Sequence, residues 1–252
     1  MLEKVEGVVL RTRDYGETNK IVTLFTKEFG KIGLMARGAR KPKSRMASVT
    51  QPFVIGQYLI QRSQQLGTMQ QGEIIESLRK LREDIEKTAY AAYLAELLDK
   101  LVEEHRPNPF LFQEFVSSLN RIGEGDQPNI IRIFFELKLY SIAGFAPEVS
   151  HCVSCGTKEN LHAFSIQEGG LLCTRCCSQD EHSFPLIPSL IRILQMGVSV
   201  GIDRVGQINV KPENQKLLIH LMDEYYDRYG GYALKSKKFL QQMEKWSLHS
   251  TD

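Results

Sequence analysis

The feature that most constrains this chain is a pair of CxxC turns. Cys152 and Cys155 form the first, Cys173 and Cys176 the second, with 17 residues between them. One CxxC turn lets two thiolates grip an ion, and a second turn completes a tetrahedron. The pattern predicts one Zn2+ held by Cys152, Cys155, Cys173 and Cys176. Gly156 suits such a knuckle because it accepts a positive φ. Four sulfurs fill a tetrahedral site and leave no position for water or substrate, so the ion is expected to be structural. Redox-active thiols and an iron–sulfur cluster are the alternatives. Cys177, His151 and His182 lie near enough in sequence to compete as ligands.

The expected compartment is read from the opening residues and the apolar runs. The opening residues carry charges throughout, unlike a signal peptide, and no run of about 18 uncharged apolar residues occurs. A cytoplasmic protein is expected, with reduced thiols rather than disulfides.

The formal net charge of +2 hides an asymmetry. Residues 1–78 hold 12 Lys+Arg against 7 Asp+Glu, a net of +5, and residues 79–252 hold 20 against 23, a net of −3. A basic part beside an acidic one points to a polyanion as partner. Within the basic part, residues 37–45 read RGARKPKSR, which is Arg37, Arg40, Lys41, Lys43 and Arg45 with no acid among them. Gly38 and Pro42 break regular structure there and predict a mobile loop. Such clusters hold phosphate backbones by releasing counterions.

The same 78 residues read as five strands: Val5–Thr12, Ile21–Thr26, Lys31–Arg37, Phe53–Gln61 and about Thr68–Ile75. They are rich in β-branched and aromatic residues and divided by turns such as Asp14–Glu17 and Gln64–Gly67. So many short strands imply a closed barrel, because closure removes edges. The five-stranded OB-fold fits best, with a small sandwich as the alternative. Arg11, Arg13, Lys20, Lys27 and Lys31 add cations near the loop. Tyr15, Phe25, Phe29, Phe53 and Tyr58 are candidate stacking faces, Tyr15 in its turn the most exposed.

Beyond residue 79 the period becomes helical. Ile85, Ala89, Tyr93, Leu97 and Leu101, with Tyr90, Leu94, Leu98 and Val102, make a broad apolar stripe on one long helix stopped at Arg106-Pro107. Asn108-Pro109 opens a helix to about 121. Asn129–Ala143 predicts a buried helix, and further helices are expected over 188–200, from Pro212 to Gly230 and over 234–246. The predicted class is α+β: an N-terminal OB-fold barrel (1–78), a helical domain (79–150 and 178–252) and an inserted four-cysteine, zinc-ribbon-like module (151–177).

No GxxxxGK[ST], HExxH, GxSxG or strand-borne GxGxxG occurs. Acids such as Asp84, Glu86 and Glu136 leave a metal-dependent nuclease open, and a basic barrel leaves an RNA-binding factor open.

The chain resembles the RecO family of bacterial recombination mediators. The resemblance is carried by GVVLRTRDYGETNKIVTLFTKEFGKIGLMARGARKPKSR (Gly7 to Arg45), by YSIAGFAPEVSHCVSCG (Tyr140 to Gly156) and by the pair Cys173 and Cys176. It implies a protein with no catalytic residues that binds single- and double-stranded DNA without ATP. It also implies strand annealing and the loading of RecA on DNA coated by single-strand binding protein. RecR and the acidic C-terminal tail of single-strand binding protein are the implied partners, RecA is served indirectly, and no membrane is involved. A cytoplasmic, nucleoid-associated location follows. The expected DNA contacts are Arg11, Arg13, Lys31, Arg37, Arg40, Lys41, Lys43, Arg45 and Tyr15. Arg121, Arg132 and Lys138 are the cations expected to dock the acidic tail.

Overall fold

The five β-rich runs become β1 (Leu2–Tyr15), β2 (Asn19–Thr26), β3 (Gly30–Ala36), β4 (Ile55–Gln61) and β5 (Gly67–Glu76). In this computed structural model, which describes residues 1–63 and 65–249, they close into a barrel in the order β1-β2-β3-β5-β4. β4 pairs with β1 to complete the ring, and β3 and β5 make its one parallel pairing among the described residues. Gln64, the first residue of the expected Gln64–Gly67 turn, lies outside the described residues. β1 runs on through Asp14 and Tyr15, so the turn to β2 falls at residues 16–18, not at Asp14.

Alternation along the strands sends Val22, Leu24, Ile32 and Leu34 inward with Val5, Val9 and Ile60. Each such side chain gains about 1.5–3 kcal/mol from leaving water. A short helix α1 (Arg45–Val49) follows the basic segment and was not expected. Five residues are too few for a helical period to show. Ser44 caps it by accepting from the Met46 N–H at 3.2 Å. Val49 joins the barrel core, and its carbonyl accepts from the Tyr58 hydroxyl at 3.0 Å.

The helices are α2 (Arg79–Glu83), α3 (Ile85–Leu101), α4 (Pro109–Glu124), α5 (Pro128–Ala143), α6 (Pro188–Ser199), α7 (Pro212–Tyr229) and α8 (Lys235–His249). The expected stripe lies on α3, with Ala89, Tyr90, Tyr93, Leu94, Leu97 and Leu98 buried. Ile85 departs from it, at 73% exposure. Asp84 takes the α3 N-cap, accepting from Glu86 and Lys87 N–H groups, and so separates α2 from α3. A small sheet, β6 (Leu161–Ser165), β7 (Gly170–Cys173) and β8 (Phe184–Pro185), carries the cysteine region in the order β7-β6-β8.

Two compact units result, Met1–Gly125 with the residues from Leu234 onward, and Asp126–Ala233. α2, α3 and α4 share a unit with the barrel, and α8 returns to it from the end of the chain. Glu96 on α3 draws α8 in, accepting from the N–H groups of Lys235 and Ser236 and from the Ser236 hydroxyl at 2.5 Å. In the second unit, α5 packs against α6 and α7. Tyr140 there stacks on Phe145 at 4.7 Å, and Phe164 of β6 meets Tyr225 edge-on at 5.8 Å.

Candidate nucleic-acid interface and metal centre

Register decides which barrel residues face solvent. Val9 pairs with Leu24, but Arg11 pairs with Thr23, so a bulge falls at Leu10. From there Arg11, Arg13 and Tyr15 point outward together. Their row continues onto β2 as Thr23, Ile21 and Asn19, and onto β3 as Gly33 and Met35. The result is one outer face with a half-buried apolar centre, Ile21 and Met35, bordered by Arg13 and Tyr15. Tyr15 is 50% exposed. At one end of this face stands the segment 37–45.

That segment is tied to the barrel by one buried side chain and several backbone hydrogen bonds. Ala39 is buried in the barrel core. The Gly38 N–H donates to Asn19 Oδ1 at 2.9 Å, and the Arg40 N–H to the Thr18 carbonyl at 2.9 Å. Lys41 and Ser44 N–H groups donate back to Gly38 and Lys41 carbonyls, making successive turns. Arg37, Arg40, Lys41, Lys43 and Arg45 are held exposed on this frame. Arg40 also contacts Asp14, Nε to Oδ2, at 3.3 Å.

Several expected residues lie elsewhere. Lys31 is buried, 7% exposed, and its Nζ donates to the Asp99 carbonyl and pairs with Asp99 Oδ1 at 3.3 Å. It serves the contact between the barrel and α3, not solvent. Gly30 beside it has φ +69°, and a Cβ there would sit 2.2 Å from the Arg106 carbonyl oxygen, so only glycine allows the approach. Arg11 stays on the surface, but its Nε donates to Asp99 Oδ2 at 2.8 Å. Among the aromatics, Phe25, Phe53 and Tyr58 are core, and Phe29 is covered by the Arg62 guanidinium at 3.8 Å. Burial pushes the Tyr58 hydroxyl well above the usual phenol range. Arg132 and Lys138 are buried, Arg132 bonded to Glu136 at 2.8 Å and to Asp223, and Lys138 donating to the Val198 carbonyl at 3.0 Å. Neither can meet an acidic tail on the surface.

The cysteines converge. The four Sγ atoms of Cys152, Cys155, Cys173 and Cys176 lie within 4.8 Å of one another. Cys155 Sγ stands 3.7 Å from Cys173 Sγ. Four thiolates on a tetrahedral zinc-sized ion have edges of about 3.8 Å, whereas a disulfide brings sulfurs to about 2.0 Å. The spacing fits a metal ion. The knuckles are closed by the Gly156 N–H on the Cys152 carbonyl at 2.8 Å and the Cys176 N–H on the Cys173 carbonyl at 3.0 Å. Gly156 has the expected positive φ of +74°. Burial opposes the Cys173 thiolate, but N–H groups of Cys176 and Arg175 outweigh it and draw the thiol down to about 6. Cys176 goes the other way. The Ser154 hydroxyl favours its thiolate, yet burial and the three neighbouring thiols push it up to about 11. A bound dication removes that conflict, since it favours all four thiolates at once. Arg175 faces Cys155 and Cys173, and their charge raises its own pKa. His151 is engaged with Glu148 and Ser150, and Cys177 donates to the Thr174 carbonyl. Neither joins the four sulfurs. Among the described residues these cysteines are the one group of three or more His, Cys, Asp or Glu placed to hold an ion. Asp84 is a helix cap and Glu136 is paired in the core.

The comparisons with known proteins agree over the whole length. Family models described as Recombination protein O N terminal and Recombination protein O C terminal match residues 1–78 and 82–238. The chain belongs to the RecO family. Proteins named DNA repair protein RecO from Bacillus pumilus and Bacillus subtilis are 52% and 48% identical over 97% of this chain and 95% and 96% of theirs. Another, from Halalkalibacterium halodurans, is 43% identical over all of both chains.

In this RecO-family chain the N-terminal match ends two residues after β5, and the C-terminal match contains all four cysteines. Ile21, Thr23, Gly33 and Met35 belong to the outer face and were missed from sequence. Strand alternation alone assigns them to one side, but the bulge at Leu10 sets which side of β1 they share.

Proposed function

We propose that this chain is a DNA-repair recombination mediator whose barrel, an OB-fold, binds single- and double-stranded DNA without ATP. The observation that carries the reading is the outer face of β1, β2 and β3, with Arg13 and Tyr15 beside Ile21 and Met35 and the pinned cations 37–45 at its end. Unpaired bases have an apolar and aromatic surface to lie on, and phosphates have Arg37, Arg40, Lys41, Lys43 and Arg45. The strand order and a helix between β3 and β4 support the OB-fold. Arg11 and Lys31 leave the contact set, since Asp99 holds both.

Two strands neutralised on one basic surface repel each other less, so complementary strands meet more readily. Base pairing supplies the driving force, and no bond is broken. In this reading the cysteines hold one structural Zn2+, residues 1–78 bind DNA, and 151–177 form a zinc-ribbon-like brace within the helical domain. RecR, RecA and the acidic tail of single-strand binding protein are the partners that the family likeness suggests, in the cytoplasm and at the nucleoid. The test is annealing of complementary strands coated with single-strand binding protein, in the absence of ATP. The chain should accelerate it, and a variant with Arg37, Arg40, Lys41 and Lys43 all replaced by Ala should not. Equal acceleration by both proteins would overturn the reading, and cleavage of labelled DNA with Mg2+ or Mn2+ would replace it with a nuclease.

A further inference from the structure

We propose that Asp99 is a specificity-setting residue of the barrel face: it acts as an internal substitute for phosphate that keeps Arg11 out of DNA binding. The proposal rests on the reading of the barrel as the DNA site. Arg11 lies on β1 in the same outward row as Arg13 and Tyr15. Its position alone makes it a phosphate contact. Yet its Nε donates to Asp99 Oδ2 at 2.8 Å, although its side chain is 60% exposed. Asp99 is anchored on α3 with its side chain 13% exposed, and it also receives the buried Lys31, on its carboxylate and on its carbonyl. The segment after α3 is tied to the same strand, with the His105 N–H on the Lys31 carbonyl at 3.0 Å. The carboxylate is therefore fixed where a phosphate would otherwise meet Arg11.

A surface ion pair is worth little by itself. This one is different because Asp99 cannot leave. Lys31, almost without solvent, holds it in place whether or not Arg11 stays. A phosphate approaching Arg11 must compete with an oxyanion already there and must also approach that oxyanion's charge. The DNA path is thereby biased along Arg13, Tyr15 and the 37–45 cations, away from the α3 end of the face.

Salt titration reads this directly, because each phosphate contact adds about 0.7 to the slope of log affinity against log salt for a single strand. Arg11→Ala should leave the slope for single-stranded DNA unchanged. Asp99→Asn should raise it by about 0.7, which is about 2.6-fold more loss of affinity from about 50 to about 200 mM salt. The double variant should return to the slope of Arg11→Ala. A thermal melt checks that Asp99→Asn, which keeps an acceptor for Lys31, remains folded. If that variant unfolds, Arg11→Ala decides alone. A slope lowered by about 0.7 in Arg11→Ala, or an unchanged slope in folded Asp99→Asn, overturns the proposal. Failure of the barrel reading would look different, as an unchanged slope in the variant lacking Arg37, Arg40, Lys41 and Lys43.

Discussion

The barrel and the cysteine region solve the same problem in opposite ways. The barrel closes five strands on themselves, leaves no free sheet edge and fills its inside with Val, Leu and Ile. The cysteine region has three strands, the shortest of two residues, and its buried cluster is Cys152, Leu172, Cys173 and Cys176. Ala163, Phe164 and Leu171 of the sheet are buried, Phe164 against Tyr225 of α7, but few apolar side chains meet between the two CxxC turns, and an ion held by the four thiolates would supply there what a core supplies elsewhere. The difference has a functional side. A barrel closed on itself can commit surface cations to a ligand. In the cysteine region Arg175 is instead turned on the knuckle itself, facing Cys155 and Cys173.

The largest expected effect lies in the knuckle. Chelation, or Cys173→Ser, should lower amide protection around Cys152–Gly156 and Cys173–Cys176, because an ion bound by these thiolates, as proposed, would contribute its binding free energy to folding there. Hydrogen exchange should show β1–β5 unchanged, and loss of protection in the barrel as well would break the contrast. Next comes the buried Arg132. Glu136→Ala removes its partner at 2.8 Å and should cost about 3–5 kcal/mol, read as a fall in denaturant midpoint. That cost should fall on α5–α7, not on the barrel.

Smaller effects sharpen the barrel side. Tyr15→Ala should weaken single-strand binding by about 1–3 kcal/mol through lost stacking, with the salt slope unchanged. A fall in slope would instead make Tyr15 a frame for neighbouring cations. The smallest effect is pH-dependent. Although burial raises the Glu96 pKa, hydrogen bonds from the Ser236 hydroxyl and the Ser236 and Lys235 N–H groups prevail and lower it. A depressed carboxylate stabilises above its unfolded pKa and loses that contribution as pH falls through its folded value. Acid should therefore loosen α8 first, and Glu96→Gln should remove this dependence at a cost of about 1 kcal/mol near neutral pH.

How much could be read beforehand differs between the two regions for the same reason. The convergence of the four cysteines was legible, because they come as two local turns. The strands were legible to within a few residues, because β-branched runs and turn residues are local signals. The surface of the barrel was not. Lys31 reads as one more cation of a basic segment, and its burial depends on Asp99, which is 68 positions away. Arg132 reads as a docking cation until Asp223, 91 positions on, is placed against it. The pairing of α8 with α3 did not show for a like reason, since Glu96 joins them across some 140 residues.

The central claim is that the barrel cations bind DNA and the cysteines only shape the chain. The direct measurement is a pair of salt titrations with single-stranded DNA, one on the protein lacking Arg37, Arg40, Lys41 and Lys43 and one on the chelated wild type. The loop variant should lose about 2–3 from the slope, and the chelated protein should keep its slope. A flattened slope on chelation, with the loop variant unchanged, would place DNA on the cysteine region and contradict the account.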